Sequence, residues 1–349
     1  MLNKCVTAVK RIFPNICTNH YKYFSSSTTM AKSKYEYVKN FESEDRCLPN
    51  CWIVVNLDGK CFQRFAEMHG FEKPNDKRSL ELMSRSAAAV MEEIREIVLA
   101  YGQSDEYSFV FRKDTSIFNR RTEKILTVVN SLFAAAFVFY WKNFFGFANM
   151  LYPPAFEGHV YLFPSELNLK DYLSWRQAEL HANNLYSSAF WAMVLKGKLS
   201  PKEAEDKLRP IAYVSHKHEL ILKDYGIVYN NEPILFRKGT TLVRKLVPMP
   251  GDGKFHQVVF PLCIDLTNEE FWRENSEILG LKPLPIFKPG NNPGFPIKRQ
   301  INDMNGADVS MKPTIKPPDV CNTNDPKIKT FDRRIPDTNS KMKQDSIGK

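Results

Sequence analysis

No two of the chain's seven cysteines stand in a CxxC pair: Cys5, Cys17, Cys47, Cys51, Cys61, Cys263 and Cys321 are scattered and odd in number. That pattern excludes a dense disulfide framework, offers no zinc site, and reads as free thiols in a reducing compartment. Internal repeats and heptads are missing too. No apolar run approaches the roughly 20 residues that span a bilayer, so the expectation is a soluble protein with no membrane partner. Net charge is +10, yet residues 30–280 contribute none of it, with 32 basic and 32 acidic side chains. The excess lies in residues 1–29 (four basic, no acidic) and residues 281–349 (13 basic, seven acidic). A basic surface for RNA on the central part must therefore come from local clustering.

What is present is enough to bury a core. With 349 residues and 43% hydrophobic side chains, the chain supports one large domain or two smaller ones. Residues 1–29 are basic, end in a Ser/Thr-rich stretch, and place Val6, Val9, Ile12, Phe13 and Ile16 at roughly helical spacing. They read as a mitochondrial targeting segment, against the plainer alternative of an ordinary disordered N-terminus. A second start at Met30 would give a cytoplasmic form. Residues 281–349 hold ten of the 22 prolines and few large apolar residues, which predicts a disordered tail.

The centre of the chain is Trp52 to Phe62, WIVVNLDGKCF. A run with the apolar density of a buried strand ends in Asp58-Gly59, a carboxylate beside the residue that lets backbone approach most closely. Asn75 or Asp76 then caps a helix with Leu80, Met83, Ala87, Val90, Met91 and Ile94 on one face. Ile97–Tyr101 and Tyr107–Phe111 read as strands joined through Gly102–Asp105. A second helix runs from about Arg120 to Phe144, and His159–Phe163 is a further strand. The order β-α-β-β-α-β predicts an α+β, ferredoxin-like sheet over residues 30–165. Right-handed crossovers place the first and third elements of such a unit side by side in one antiparallel sheet, so the end of the first strand lies beside the hairpin turn and Asp58 meets Asp105.

Residues 166–280 read as a helical and hairpin region packed on that sheet. Asp171–Leu195 is a long helix, and Ser200-Pro201-Lys202-Glu203 is a capping box with proline at its first helical position. Tyr225–Val243 reads as a turn followed by a strand or hairpin, Phe260–Ile264 as a last strand, and Trp272 and Ile278 lie on a closing helix.

Two carboxylates at adjacent strand ends suit divalent cations and phosphoryl or nucleotidyl transfer, although Asp-Gly after a strand is by itself an ordinary turn signal. Lys60 and Arg64 follow with positive charge, and turn amides there could cradle phosphates. Lys73-Pro74-Asn75-Asp76 could hold a phosphate or simply cap a helix. His181, Asn183, Asn184 and Tyr186 form a polar stretch whose default reading is hydrogen-bonded helix packing. The basic pairs Arg237-Lys238 and Arg120-Arg121 read as phosphate contacts or, equally, as plain surface. His216 and His218 lack ligand-type partners at metal spacing.

The strings MAKSKYEYVKNFE, NLDGKCFQRFAEMHGFEKPND, YGQSDEYSFVF, YPPAFEGHVYLFPS, LKDYLSWRQAELHANNLYSSAFW and YNNEPILFRKGT, spanning about residues 30–240, closely resemble the eukaryotic tRNA-histidine guanylyltransferases. The resemblance implies a polymerase-type palm and the addition of one guanylate to the 5′ end of tRNA(His). It implies ATP-dependent activation of the 5′-phosphate, attack by the GTP 3′-hydroxyl, removal of pyrophosphate, and two Mg²⁺ ions. By the same resemblance, Asp58, the Gly59 carbonyl and Asp105 are metal ligands, and Asp58, Asp105 and Glu106 are the catalytic carboxylates. Asp58, Gly59, Lys60, Cys61, Phe62, Gln63, Lys73, Ser104 and Asp105 are nucleotide-binding. His181, Asn183, Asn184, Arg237 and Lys238 handle tRNA, and a homotetramer is implied. Three positions depart from the family: Asn56 stands where Arg is common, Cys61 where Asn is common, and Ala182 where Ile is common. The resemblance places the missing Arg near triphosphate or tRNA. Rival readings are a template-dependent 5′-end repair polymerase, a nucleotide cyclase and a non-catalytic tRNA-binding protein.

Overall fold

The computed structural model describes residues 34–248 and 255–280. The expected targeting segment and Pro-rich tail lie outside those residues. Strand β1 (Trp52–Gly59) is central because both its faces are covered: residues 52–57 are all buried. A strand buried on both faces needs a continuous apolar run, which is what WIVVNL supplies apart from Asn56. It pairs antiparallel with β3 (Glu106–Phe111) on one side and β4 (Phe156–Phe163) on the other. Strand β2 (Ile97–Gln103) lies outside β3, joined to it by the two-residue turn Ser104-Asp105.

Strands β5 (Thr240–Pro248) and β6 (Phe255–Leu262) complete the sheet, whose order is β4-β1-β3-β2-β5-β6. The expected neighbours β1 and β3 are thus adjacent. The later hairpin extends this sheet by pairing Tyr101 with Thr241, a join between segments far apart in sequence.

Alternation along β1 sends Ile53, Val55 and Leu57 to one face, where α2 (Lys77–Glu93) and α3 (Thr122–Phe145) pack. Asp76 caps α2 by accepting the Arg78 N–H at 2.9 Å. The other face carries Trp52, Val54 and Asn56 toward α4 (Glu166–Leu195), with Leu169, Tyr172 and Leu173 against it. The outer half of α4 packs Leu185, Ala189 and Met193 onto α5 (Pro201–Leu208) and α6 (Val214–Tyr225). Both reciprocal bonds of the Ser200/Glu203 capping box are present at the start of α5.

Three local readings change. Phe62–Met68 forms a short helix, α1, unforeseen because seven residues show less than two periods. Ile234–Lys238, expected within a turn and strand or hairpin, is a helical segment, α7, bounded by Pro233 and by Gly239 at φ +72°. Five residues, only three of them apolar, carry no period that separates strand from helix, and the flanking Pro and Gly decide. The closing helix is shorter than expected: α8 (Glu269–Glu274) buries Phe271 and Trp272, and Ile278 lies beyond it on the 3-10 turn Ser276–Leu279.

Helix α3 is long and apolar enough, by length and composition, to cross a bilayer. Its Ile125, Val129, Phe133, Phe137, Trp141 and Phe145 recur every fourth residue and lie in the core. Arg120, weighed as a phosphate contact, donates to the carbonyls of Leu48, Cys51 and Thr115. Arg121 pairs with Glu42. These two arginines fasten the segment before β1 onto the start of α3. The described cysteines Cys47, Cys51 and Cys263 are free thiols.

Candidate active site

Asp58, next to last in β1, stands opposite Glu106 on β3 and opposite Glu157 on β4. The next residue joins the strand end to the hairpin turn: the Gly59 N–H donates to the Asp105 carbonyl at 3.0 Å. A Cβ at position 59 would lie 2.9 Å from Asp105 Cβ and 2.8 Å from Phe62 Cβ, so only glycine lets the two turns meet. Ser104 holds the hairpin turn in the left-handed region, at φ 57°. A non-glycine residue there costs about 1–2 kcal/mol. Its hydroxyl bonds to the Asp105 carboxyl. Burial first, and the Asp58 carboxylate second, push the Asp105 carboxyl up to about 7. The structure thus brings the two aspartates together as repelling neighbours, an arrangement that a cation would relieve.

The other acids nearby have cationic partners. Glu106 is buried, accepts a 2.8 Å bond from the Asn56 amide and forms an ion pair with Arg176. Glu157 pairs with Lys60 at 2.8 Å, both about half exposed. Asn56 is 2% exposed and its carbonyl accepts from the Ser108 hydroxyl at 2.7 Å. It therefore belongs to the polar floor under the turn, and not to a phosphate-facing surface, which corrects the expectation attached to that position.

Other expected contacts move. The Gly59 amide is spent on Asp105 and the Lys60 amide on the Ala155 carbonyl at 2.8 Å, which leaves turn amides from Cys61 onward for any phosphate. Phe62 is a core residue among Phe65, Phe71, Phe137 and Phe156. Gln63 donates to Glu67 at 3.1 Å on an exposed face.

Cys61 precedes α1 at φ 52°, exposed and with no side-chain cap bond. Asn tolerates the left-handed region better than Cys. Cys61→Asn is therefore expected to stabilise the fold by roughly 0.5–1 kcal/mol, seen as a higher urea midpoint at unchanged slope. An unchanged or lower midpoint would mean the left-handed backbone carries no cost here.

The Lys73 and HANN segments meet in a second cluster. Asn184 donates to Asn75 at 2.7 Å and accepts from the Tyr229 hydroxyl at 2.9 Å, and the Lys73 ammonium lies 5.4 Å above the Trp191 ring. His181 sits edge-on to Tyr229 and 6.2 Å from His218. Burial, then the nearby His181, hold His218 below the usual histidine range. Asn183 is exposed while Asn184 is buried, so the stretch does not form one polar face. Arg237 and Lys238 end α7, where Arg237 donates to the Glu232 carbonyl and Lys238 pairs with Asp265 at 2.7 Å. Their expected character as a free basic turn is not what the fold shows. Gln103 donates to the Phe236 carbonyl, which ties α7 to the hairpin turn.

Sequence reading passed over Arg176. Its only advance signal was a cation inside a helix with apolar spacing, and nothing local pointed to Glu106.

Among the described residues, no group of three or more His, Cys, Asp or Glu side chains forms a ready metal cage. Two carboxylates with a backbone carbonyl suit Mg²⁺, which binds through one or two carboxylates and fills its shell with water and phosphate.

Comparison with known proteins places this geometry. The family model described as tRNAHis guanylyltransferase matches residues 35–164, and the Thg1 C terminal domain matches residues 167–262. A probable tRNA(His) guanylyltransferase of Drosophila melanogaster is 53% identical over 251 residues, 72% of this chain and 86% of that protein. The crystal structure of the Saccharomyces cerevisiae tRNA(His) guanylyltransferase superposes with a TM-score of 0.58 at 40% identity, over 60% of this chain and 93% of that one. A bacterial guanylyltransferase-like protein in complex with ATP shares the fold, with a TM-score of 0.56 at 18% identity over 72% of this chain and all of that one. Fold and relatives together define a nucleotidyltransferase. The chain belongs to the tRNA(His) guanylyltransferase family.

Proposed function

We propose that the protein adds a guanylate to the 5′ end of tRNA(His), using ATP to activate the 5′-phosphate and GTP as donor, on a polymerase-type palm formed by β1 to β4. The observation that carries this reading is the contact of Gly59 with Asp105, which sets two carboxylates at one point of a buried sheet. Asp58, Asp105 and the Gly59 carbonyl would hold two Mg²⁺ ions. Ions held there would neutralise triphosphate charge and favour attack by a hydroxyl.

The chain's own part is positioning. Asp58 and Asp105 fix the site, while Ser104 orients the Asp105 carboxyl. The exposed Lys60 and the backbone amides from Cys61 to Gln63 face the triphosphate. Lys73, His181, Asn183, Arg237 and Lys238 line the approach of the tRNA end, and the buried Asn184 ties that cluster together through Asn75 and Tyr229. Glu106 acts beneath the pair, through its bonds to Asn56 and Arg176.

Incubation with ATP, labelled GTP, Mg²⁺ and 5′-monophosphorylated tRNA(His) lacking the extra guanylate tests the reading. Label at the 5′ end of that tRNA alone is expected. No label would refute it, and equal labelling of truncated tRNAs of any identity would replace it with end repair.

A pH dependence follows from Asp105. With its carboxyl near 7, cation binding must expel a proton, so apparent affinity should rise through pH 6 to 8. At pH 6 it should fall roughly tenfold below its plateau. Titration of Mn²⁺ by electron paramagnetic resonance reads this directly, and a flat profile would remove Asp105 from the ligand set.

The reading includes a homotetramer, supported by the exposed Val138 and Phe139 of α3 and by Phe147 just beyond it. It also includes mitochondrial targeting through residues 1–29, with a cytoplasmic form from Met30. Sedimentation as a monomer would refute the first, and a diffuse cytosolic signal from a 1–29 reporter fusion the second.

A further inference from the structure

We propose that Arg176 is a positioning residue for the carboxylate pair: its guanidinium holds Glu106, and Glu106 holds the turn that carries Asp105. The proposal rests on the reading of Asp58 and Asp105 as the reacting pair.

Arg176 lies on α4 and is 4% exposed. Its guanidinium meets Glu106 on β3, bonds Glu179 at 3.0 Å and approaches the Tyr172 hydroxyl at 3.4 Å. Tyr172 shares a 2.9 Å bond with Ser108, Ser108 donates to Asn56, and Asn56 donates to Glu106 at 2.8 Å. The ring is closed, and it joins β1, β3 and α4 beneath the site. An aliphatic side chain would fill the same volume without desolvating a cation. The charge is therefore explained by what it meets.

Glu106 directly follows Asp105, and the carbonyl that receives the Gly59 N–H belongs to the peptide between them. Locking the Glu106 side chain to α4 fixes the rotation of that peptide and so the Gly59 contact. The same cation offsets one of three acids crowded at the turn, Asp58, Asp105 and Glu106. Without it, Glu106 would be a buried carboxylate driven toward solvent, pulling the turn with it.

Hydrogen exchange of the Gly59 amide reads this contact with or without catalysis. In Arg176→Met the Gly59 amide should exchange about tenfold faster while Val54, mid-strand in β1, is unchanged. Adding Glu106→Gln removes the unpaired charge and should return exchange to within about threefold of the unaltered protein. Unaltered exchange in Arg176→Met, or no recovery in the double variant, would overturn the proposal, since lost packing would not be repaired at Glu106. If Arg176→Met does not fold, the double variant must, and failure of both overturns it equally. Guanylate transfer should fall roughly 30-fold in Arg176→Met. A protein that shows the exchange pattern but transfers nothing would count against the proposed reaction alone, because exchange reads the turn directly.

Discussion

Asp105→Asn is expected to lower guanylate transfer by about 10³-fold or more while making the protein more stable above pH 7. The two effects share one cause. Burial and the Asp58 carboxylate raise the Asp105 carboxyl to about 7, well above its ordinary value near 3.8. The folded state therefore binds more protons than the unfolded chain between about pH 4 and 7, and stability falls as pH rises across that window. Asparagine escapes the penalty but cannot offer a charged ligand. Asp58→Asn should be equally inactive, and it should lower the Asp105 carboxyl by removing its neighbour's charge. Rate assays with thermal melts at pH 5 and 8 check both variants, alongside binding of tRNA(His), which should persist. Retained transfer in either variant would refute the paired-carboxylate assignment. A melt of Asp105→Asn that matches the unaltered protein at pH 8 would show that the carboxyl is not under repulsion.

Gly59→Ala should cost roughly 10²-fold in transfer, because a displacement of about 1 Å at the reacting groups has that effect. The added methyl would lie 2.7 and 2.8 Å from two atoms of Phe62 and 2.9 Å from Asp105 Cβ. Two of these contacts are to Cβ atoms, which cannot swing aside, so backbone must move. Phe62 is packed into the aromatic core, and the path of least resistance is the Asp105 turn. A stability loss of about 1–3 kcal/mol should accompany it, as for other overpacked sites. Gly70→Ala is the control: φ is +65°, but no atom lies within 4 Å of the new Cβ. That variant should lose stability from backbone strain alone and keep its transfer rate. Equal rates for Gly59→Ala and the unaltered protein would show that the close approach of the two turns is not needed for chemistry.

Much of the central sheet could be read in advance, for local reasons. The run WIVVNL announces a strand buried on both faces, and Asp76, Ser200 and Glu203 announce helix starts through bonds spanning two to four residues. The meeting of Asp58 with the Asp105 turn follows from strand order and crossover handedness, which few topologies satisfy. The resemblance to a known family named the reaction class, and the comparisons bear out the family.

Side-chain commitments of the charged and polar residues were not legible. Arg237 and Lys238 looked like a basic surface, yet they bond a carbonyl and Asp265. Asn56 looked like a lost phosphate contact, yet it is buried against Glu106 and Ser108.

By itself the sequence determined where strands and helices begin, which residue ends the central strand, and that a second acidic turn would face it, because each depends on short-range pattern or on topology. Only the tertiary structure decided which charges are already answered. Arg176 and Glu106 are 70 residues apart, and Asn184 and Asn75 are 109 apart. Partners so distant leave no periodic trace in the chain, since they are chosen by packing of α4 across the finished sheet. The same packing answers the Glu106 charge with Arg176, while Asp105 stays close enough to Asp58 to be repelled by it.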